Sequence, residues 1–152
     1  MSPHRRATAA FVERALPTDP GVGLDLGNGR GTPLPTRGRW RTLDLVGNPA
    51  VYGDALALPF VADTFDTVVA RDVFYVLPYP LAALEELERV LRRGGRLILT
   101  SPMLYPPTTE PGDRWRFTPL AWRELLWIAG FRDVTTEPLG GSLGEHLGQL
   151  AA

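Results

Sequence analysis

The sequence predicts an α/β protein built on a doubly wound, mostly parallel sheet flanked by helices. Three observations carry that reading. Short apolar runs at 22–26, 65–70 and 96–100 alternate with longer segments of helical periodicity, the pattern of strand–helix–strand units. The run Phe65-Asp-Thr-Val-Val-Ala70 is β-branched and largely apolar, as strands buried on both faces are. The run Val22-Gly-Leu-Asp-Leu26 passes straight into glycines at 27, 29 and 31, a strand entering a turn whose backbone must approach something closely.

The elements follow in order. Residues 5–16 read as a short amphipathic helix stopped by Pro17. Residues 22–26 form the first strand, 40–45 alternate well enough for a second, and 50–53 add a short third. After the fourth strand at 65–70, Pro80 opens a helix as its first residue. Leu81, Leu84, Leu87 and Leu91 give that helix its apolar stripe, and Glu85/Arg89 and Glu88/Arg92 are its i,i+4 pairs. Gly94-Gly95 end it before a fifth strand at 96–100. Thr118 caps the next helix with Pro119 at its first position; the helix carries Leu120, Trp122, Leu125, Leu126 and Ile128, and Gly130 stops it. Residues 131–137 are a weaker sixth strand. The chain reads as a single domain, 1–152: an N-terminal helical segment (1–19), a core (20–140) and a helical tail (141–152) with Leu143, Leu147 and Leu150 on one face.

Bulk properties narrow the function. A chain of 152 residues makes one domain, large enough to bury about 68–70% of its unfolded surface. With no Cys there is no disulfide framework and no thiolate nucleophile, and His4 and His146, near opposite ends, argue against a His-rich metal site. A net charge of −1 gives no reason to expect nucleic acid. No apolar stretch is long enough to span a membrane and the first residues lack an apolar signal core, so the expectation is a cytoplasmic protein.

The glycine turn is not the dinucleotide fingerprint. That pattern needs a third glycine where Thr32 stands and a helix behind it, but Pro33 and Pro35 follow at once. A pyrophosphate on a helix N-terminus is therefore not expected; a nucleoside without phosphates is. In doubly wound sheets ligands sit beyond the carboxyl ends of the strands, here 27–39, 71–79 and 102–117. Asp44 ends the second strand, 17 residues after Gly27, where a carboxylate can accept both hydroxyls of a ribose.

The blocks D-L-G-N-G-R-G, T-L-D-L, G-D-A-L-A-L-P-F, F-D-T-V-V-A-R-D-V and R-V-L-R-R-G-G-R-L-I-L-T-S-P now stand in a recognisable order, followed by Arg114-Trp-Arg-Phe-Thr-Pro119 and Ala129-Gly-Phe131. Over about residues 20–140 the chain resembles the class I S-adenosylmethionine-dependent methyltransferases. The resemblance implies a Rossmann-like sheet and S-adenosylmethionine as cofactor. It places Asp25, Gly27, Asn28, Gly29 and Gly31 around the methionine part, Asp44 with Leu45 at the ribose, and Asp54 with the backbone of Ala55 at the adenine. Arg71 and Asp72 fall at the reacting end. Arg71 and Arg30 are each able to bind the cofactor carboxylate bidentately. Asp72 is the candidate base, Tyr75 and Tyr105 are candidate positioning hydroxyls, and Phe74, Tyr79, Trp115 and Phe117 are candidates for an apolar acceptor wall. For Phe74 and Phe117 ordinary core packing is the preferred reading.

The chain also departs from the pattern. Gly31 to Asp44 spans only 13 positions, short for the family's helix there. Relatives read L-E-H after strand four where this chain has Phe74-Tyr75-Val76. Thr108 and Gly112 replace both histidines of a related Y-P-x-H-x-E-P-H-D segment. The family's seventh, antiparallel strand is expected to be missing, with the tail covering the sheet edge or pairing with a second copy or another subunit. The functional expectation is a methyltransferase acting on a small-molecule acceptor at oxygen or nitrogen, with neither nucleic acid nor membrane as partner. The alternatives are a non-catalytic methyltransferase-like subunit, or a cofactor-binding relative that catalyses a rearrangement.

Overall fold

A computed structural model describes residues 3–27, 34, 37–104, 106–109, 112–139 and 146–151. The elements are α1 (Pro3–Ala15), β1 (Val22–Leu26), β2 (Arg39–Asp44), β3 (Val51–Tyr52), β4 (Phe65–Arg71), α2 (Pro80–Val90), β5 (Leu91–Pro102), α3 (Pro119–Ile128), β6 (Thr135–Leu139) and β7 (His146–Ala151). The sheet has seven strands in the order β3-β2-β1-β4-β5-β7-β6. The pairs β1–β2, β1–β4, β2–β3 and β4–β5 are parallel, whereas β7 runs antiparallel to both β5 and β6. The α/β, mostly parallel class predicted from the sequence is therefore correct. The missing seventh strand is not: residues 146–151 form it. The tail does cover the edge of β5, but as a strand rather than a helix.

Period-two alternation sorts each strand between two cores. Leu24, Leu26, Val68, Ala70, Leu97 and Leu99 pack against α2 and α3, with Trp122 fully buried among them. Val69 and Ile98 point to the opposite face and meet Phe11, Val12 and Ala15 of α1 and Leu16 just after it. Arg96 donates to the Ala15 carbonyl (3.1 Å), which ties the C-terminal end of α1 to the amino end of the parallel stretch of β5. Leu34 and Trp40 extend this second core. Trp40 fits because residue 23 is glycine: a Cβ there would lie 2.3 Å from the indole.

Two helices behave as their caps dictate. Thr118 Oγ1 accepts from the Ala121 amide (3.2 Å) at the start of α3, with Pro119 in the first turn. At the end of α2 the chain turns directly into β5, so Leu91, predicted on the helix stripe, is instead the first strand residue and pairs with Phe65. The i,i+4 pairs predicted on α2 also give way. Arg89 pairs with Glu86, and Arg92 with Asp66 (2.8 Å).

Because β7 lies between β5 and β6, removing residues 141–152 should expose two strand edges inside the sheet. The truncated chain is expected to melt at lower temperature and to associate by light scattering; an unchanged melting point and mass would count against this role of β7.

Candidate active site

Strand order reverses between β1 and β4, so the crevice at the carboxyl end of this sheet opens where those two strands part. Asp25 of β1 sits there, flanked by Leu24 and Leu26 of the α2/α3 core but facing the other side. Its side chain is 2% exposed, and Oδ2 accepts from Arg71 Nη2 at 2.9 Å. Oδ1 is buried without a hydrogen-bond partner among the described residues. Burial raises the Asp25 pKa to about 6, Arg71 offsets only part of that, and the negative charge of nearby Asp44 adds to it. Gly27 follows at φ +68°, donates to the Leu43 carbonyl (2.8 Å), and leaves no room for a Cβ, which would lie 2.1 Å from Val73 Cγ2.

Asp44 ends β2 half-buried, and Oδ1 accepts the Val46 amide (3.1 Å) in a tight turn that leaves Leu45 exposed. A carboxylate accepting one amide keeps lone pairs for further donors. Asp54 is exposed, with Oδ1 accepting the Leu56 amide (2.9 Å), while Ala55 is buried beneath the same turn. That turn is clasped from α2. Glu86 Oε2 accepts the Leu58 amide (2.7 Å), and Arg89 donates to the carbonyls of Phe60 (2.8 Å) and Leu58 (3.1 Å). The hydrogen bond from Arg89 lowers the Glu86 pKa.

Asp72 follows β4 at φ +52°, a left-handed conformation uncommon outside glycine. Its amide donates to the Thr100 carbonyl (3.0 Å) and its Oδ1 accepts from Thr100 Oγ1 (2.9 Å). Its Oδ2 lies 3.2 Å from Nε2 of His4, in the first turn of α1. His4 was not among the residues singled out from the sequence. Only the packing of α1 brings it here, and no local motif signals that.

Tyr75 is engaged by residues 114–116. Its carbonyl accepts the amides of Arg114 (2.9 Å) and Trp115 (3.1 Å), and the Arg116 guanidinium stands 5.8 Å from its ring centre. Arg116 also pairs with Asp113 (2.6 Å), whose carboxyl it pulls well below the usual range, and Asp113 accepts the Thr108 amide (2.6 Å). Of the aromatic wall, Phe74 and Phe117 belong to the core and pack against Trp122. Trp115 stacks on Phe117 (6.0 Å) and donates to the Leu77 carbonyl (2.7 Å), while Tyr79 is exposed. Asn28, Gly29, Arg30, Gly31 and Tyr105 lie outside the described residues. A shallow apolar groove along Arg123, Glu124, Trp127 and Ile128 belongs to α3 alone and is no part of this site.

Residues 24–99, half of the 152-residue chain, match the family described as "Methyltransferase domain", and the chain belongs to it. Among curated proteins it is similar to a 2-methyl-6-phytyl-1,4-hydroquinone methyltransferase of Oryza sativa subsp. japonica, 34% identical over 101 residues, covering 63% of this chain and 29% of that protein. It is also similar to the ubiquinone/menaquinone biosynthesis C-methyltransferase UbiE of Roseobacter denitrificans, 39% identical over 85 residues, covering 55% of this chain and 34% of that protein. The chain thus matches about a third of the length of these relatives. Among solved structures it superimposes with TM-score 0.79 on the methyltransferase of Haloferax volcanii held in a complex with the Trm112 methyltransferase activator. That match covers 97% of this chain and 89% of the other at 18% identity, a likeness of fold.

The raised pKa of Asp25 has a thermodynamic consequence. The folded chain holds this proton more tightly than the unfolded chain, so stability falls as pH rises from the ordinary carboxyl value of 3.8 to about 6. Two units correspond to about 3 kcal/mol. Asp25→Asn keeps an acceptor for Arg71 and removes the ionisation. The variant is therefore expected to match the wild type near pH 3.5 and to exceed it by about 1–3 kcal/mol at pH 7.5, read from chemical denaturation at both pH values.

Proposed function

We propose that this chain is an S-adenosylmethionine-dependent methyltransferase acting on a small-molecule acceptor, at oxygen or nitrogen. The observation that carries the reading is the buried Asp25–Arg71 pair at the parting of β1 and β4, with Asp44 and Asp54 on the adjoining segments in the family's order. The residues fit the group. A buried carboxylate oxygen without a partner among the described residues suits an ammonium, and an adjacent guanidinium suits a carboxylate, the two charges of an amino-acid end. Asp44 suits the ribose hydroxyls, with the exposed Leu45 beside it, and the clasped turn at 54–58 suits the adenine edge.

When bound, the cofactor supplies an electrophilic methyl on a sulfonium. The chain's own work is alignment: well-oriented intramolecular reactions reach effective molarities of about 10⁵–10⁸ M. Arg71 lies beside Asp72 in sequence, so the residues that would hold the cofactor adjoin those facing the acceptor. Carbon as the receiving atom is the runner-up, favoured by the C-methyltransferase named among the relatives. A subunit that binds a protein partner is a second reading, supported by Leu120, Trp127 and Ile128 exposed on α3 and by the complexed Haloferax fold.

Calorimetric titration with S-adenosylmethionine and its demethylated product, alongside Asp44→Ala, tests the reading. Micromolar binding is expected in the wild type, weakened at least about tenfold in the variant, the loss of about 1.4 kcal/mol of hydrogen bonding. No binding up to millimolar concentration would retire the enzyme and turn attention to a partner protein.

A further inference from the structure

We infer that His4 and Asp72 form a proton-accepting couple, and that the acceptor is a hydroxyl compound too weakly acidic to ionise unaided. This rests on the methyltransferase reading above and adds to it a residue, a role and a substrate class.

The geometry comes from three elements. Helix α1 packs on Val69 and Ile98, with its C-terminal end tied to Arg96 at the amino end of the parallel stretch of β5. Its first turn consequently arrives at the carboxyl ends of β4 and β5, where Asp72 waits. Asp72 is fixed twice by Thr100, which is fully buried, through its amide (3.0 Å) and through Oδ1 (2.9 Å). Its Oδ2 lies 3.2 Å from His4 Nε2. The left-handed backbone of Asp72 aims the carboxylate this way. The side chains are 25% and 23% exposed, reachable by a small molecule yet shielded from bulk water.

The chemistry follows from the contact. A carboxylate only accepts hydrogen bonds, so the His4 nitrogen facing it carries the proton, and Nδ1 is the basic nitrogen of that tautomer. In the transfer step the acceptor O–H gives its proton to His4 while its oxygen forms a bond to the sulfonium methyl carbon. The carbon–sulfur bond breaks with its electron pair on sulfur, leaving a methyl ether and a thioether. Asp72 stabilises the imidazolium, which later returns its proton to water. Were the contact only a clasp on α1, any acceptor would suffer equally from its loss.

The test uses the full chain with His4→Gln, which keeps a donor for Asp72 and removes the base, and with Asp72→Asn. Nitrogen NMR of the imidazoles, with His4 assigned by its disappearance in His4→Gln, is expected to show the Nε2-protonated tautomer, with signals that move in Asp72→Asn. Methyl transfer from S-adenosylmethionine is then measured to two phenols differing by a nitro group, at a pH where one is neutral and the other an anion. His4→Gln is expected to lose about 10²–10⁴-fold in kcat on the neutral phenol, with KM and cofactor affinity kept, and to be nearly unaffected on the anion. Equal losses on both phenols, imidazole signals indifferent to Asp72→Asn, or wild-type transfer to neither or only to the anion would overturn the inference. In those outcomes, calorimetric binding of S-adenosylmethionine would leave the cofactor reading standing; absence of that binding would end both.

Discussion

A carboxylate placed where a sheet this apolar has least use for it governs the rest of the site. Asp25 lies between Leu24 and Leu26, nearly sealed from water, and its burial outweighs the attraction of Arg71. An apolar pair of similar size often holds a fold at least as well as a buried ion pair. The pair is therefore a weak brace for the fold, and its surroundings keep it sealed. Gly27 turns away without a Cβ, Val73 closes over it, and α1 covers the face toward which Asp25 points. The desolvation that weakens the fold at neutral pH is the same property that strengthens contacts to a charged ligand.

The parts of the fold legible in the sequence were those decided locally. β1 has its predicted limits, since an apolar run bounded by a glycine turn leaves little choice. The start of α3 follows from Thr118 and Pro119, which satisfy the first amides without outside help. The tail illustrates the opposite case. Leu143, Leu147 and Leu150 share a helical face, but Gly141, Gly144 and Gly148 weaken a helix there, and the sheet offered unpaired backbone on both β5 and β6. The pairing of Arg89 with Glu86 in place of Glu85 has the same cause. Carbonyls at 58 and 60, distant in sequence, draw the guanidinium across the helix.

The candidate site divides along the same line. Asp25, Asp44, Asp54 and Arg71 were readable because motif order places them on strand ends and turns whose positions follow from the topology. The surroundings of Asp72, just after β4, were not: it is held by Thr100, and the approach of His4 to it depends on how a helix distant in sequence packs. The carbonyl and ring of Tyr75, the candidate positioning hydroxyl, are met by residues 114–116. No spacing rule carries that information, since it resides in tertiary packing alone.

This division matches the mechanical support of the two halves. The half suited to a cofactor is built on strands hydrogen-bonded on both sides and on a turn clasped by Glu86 and Arg89, so its groups are held by backbone. The first turn of α1 and residues 106–109 and 112–116 lie outside the sheet, held by the His4–Asp72 and Asp113–Arg116 side-chain pairs together with the amides of Arg114 and Trp115 on the Tyr75 carbonyl. Side chains carried on a helix end and a loop can vary while the strand ends they meet stay fixed. His4 shows this arrangement: it reaches the end of β4 from α1, while the carboxylate it meets, Asp72, is held by Thr100 of β5.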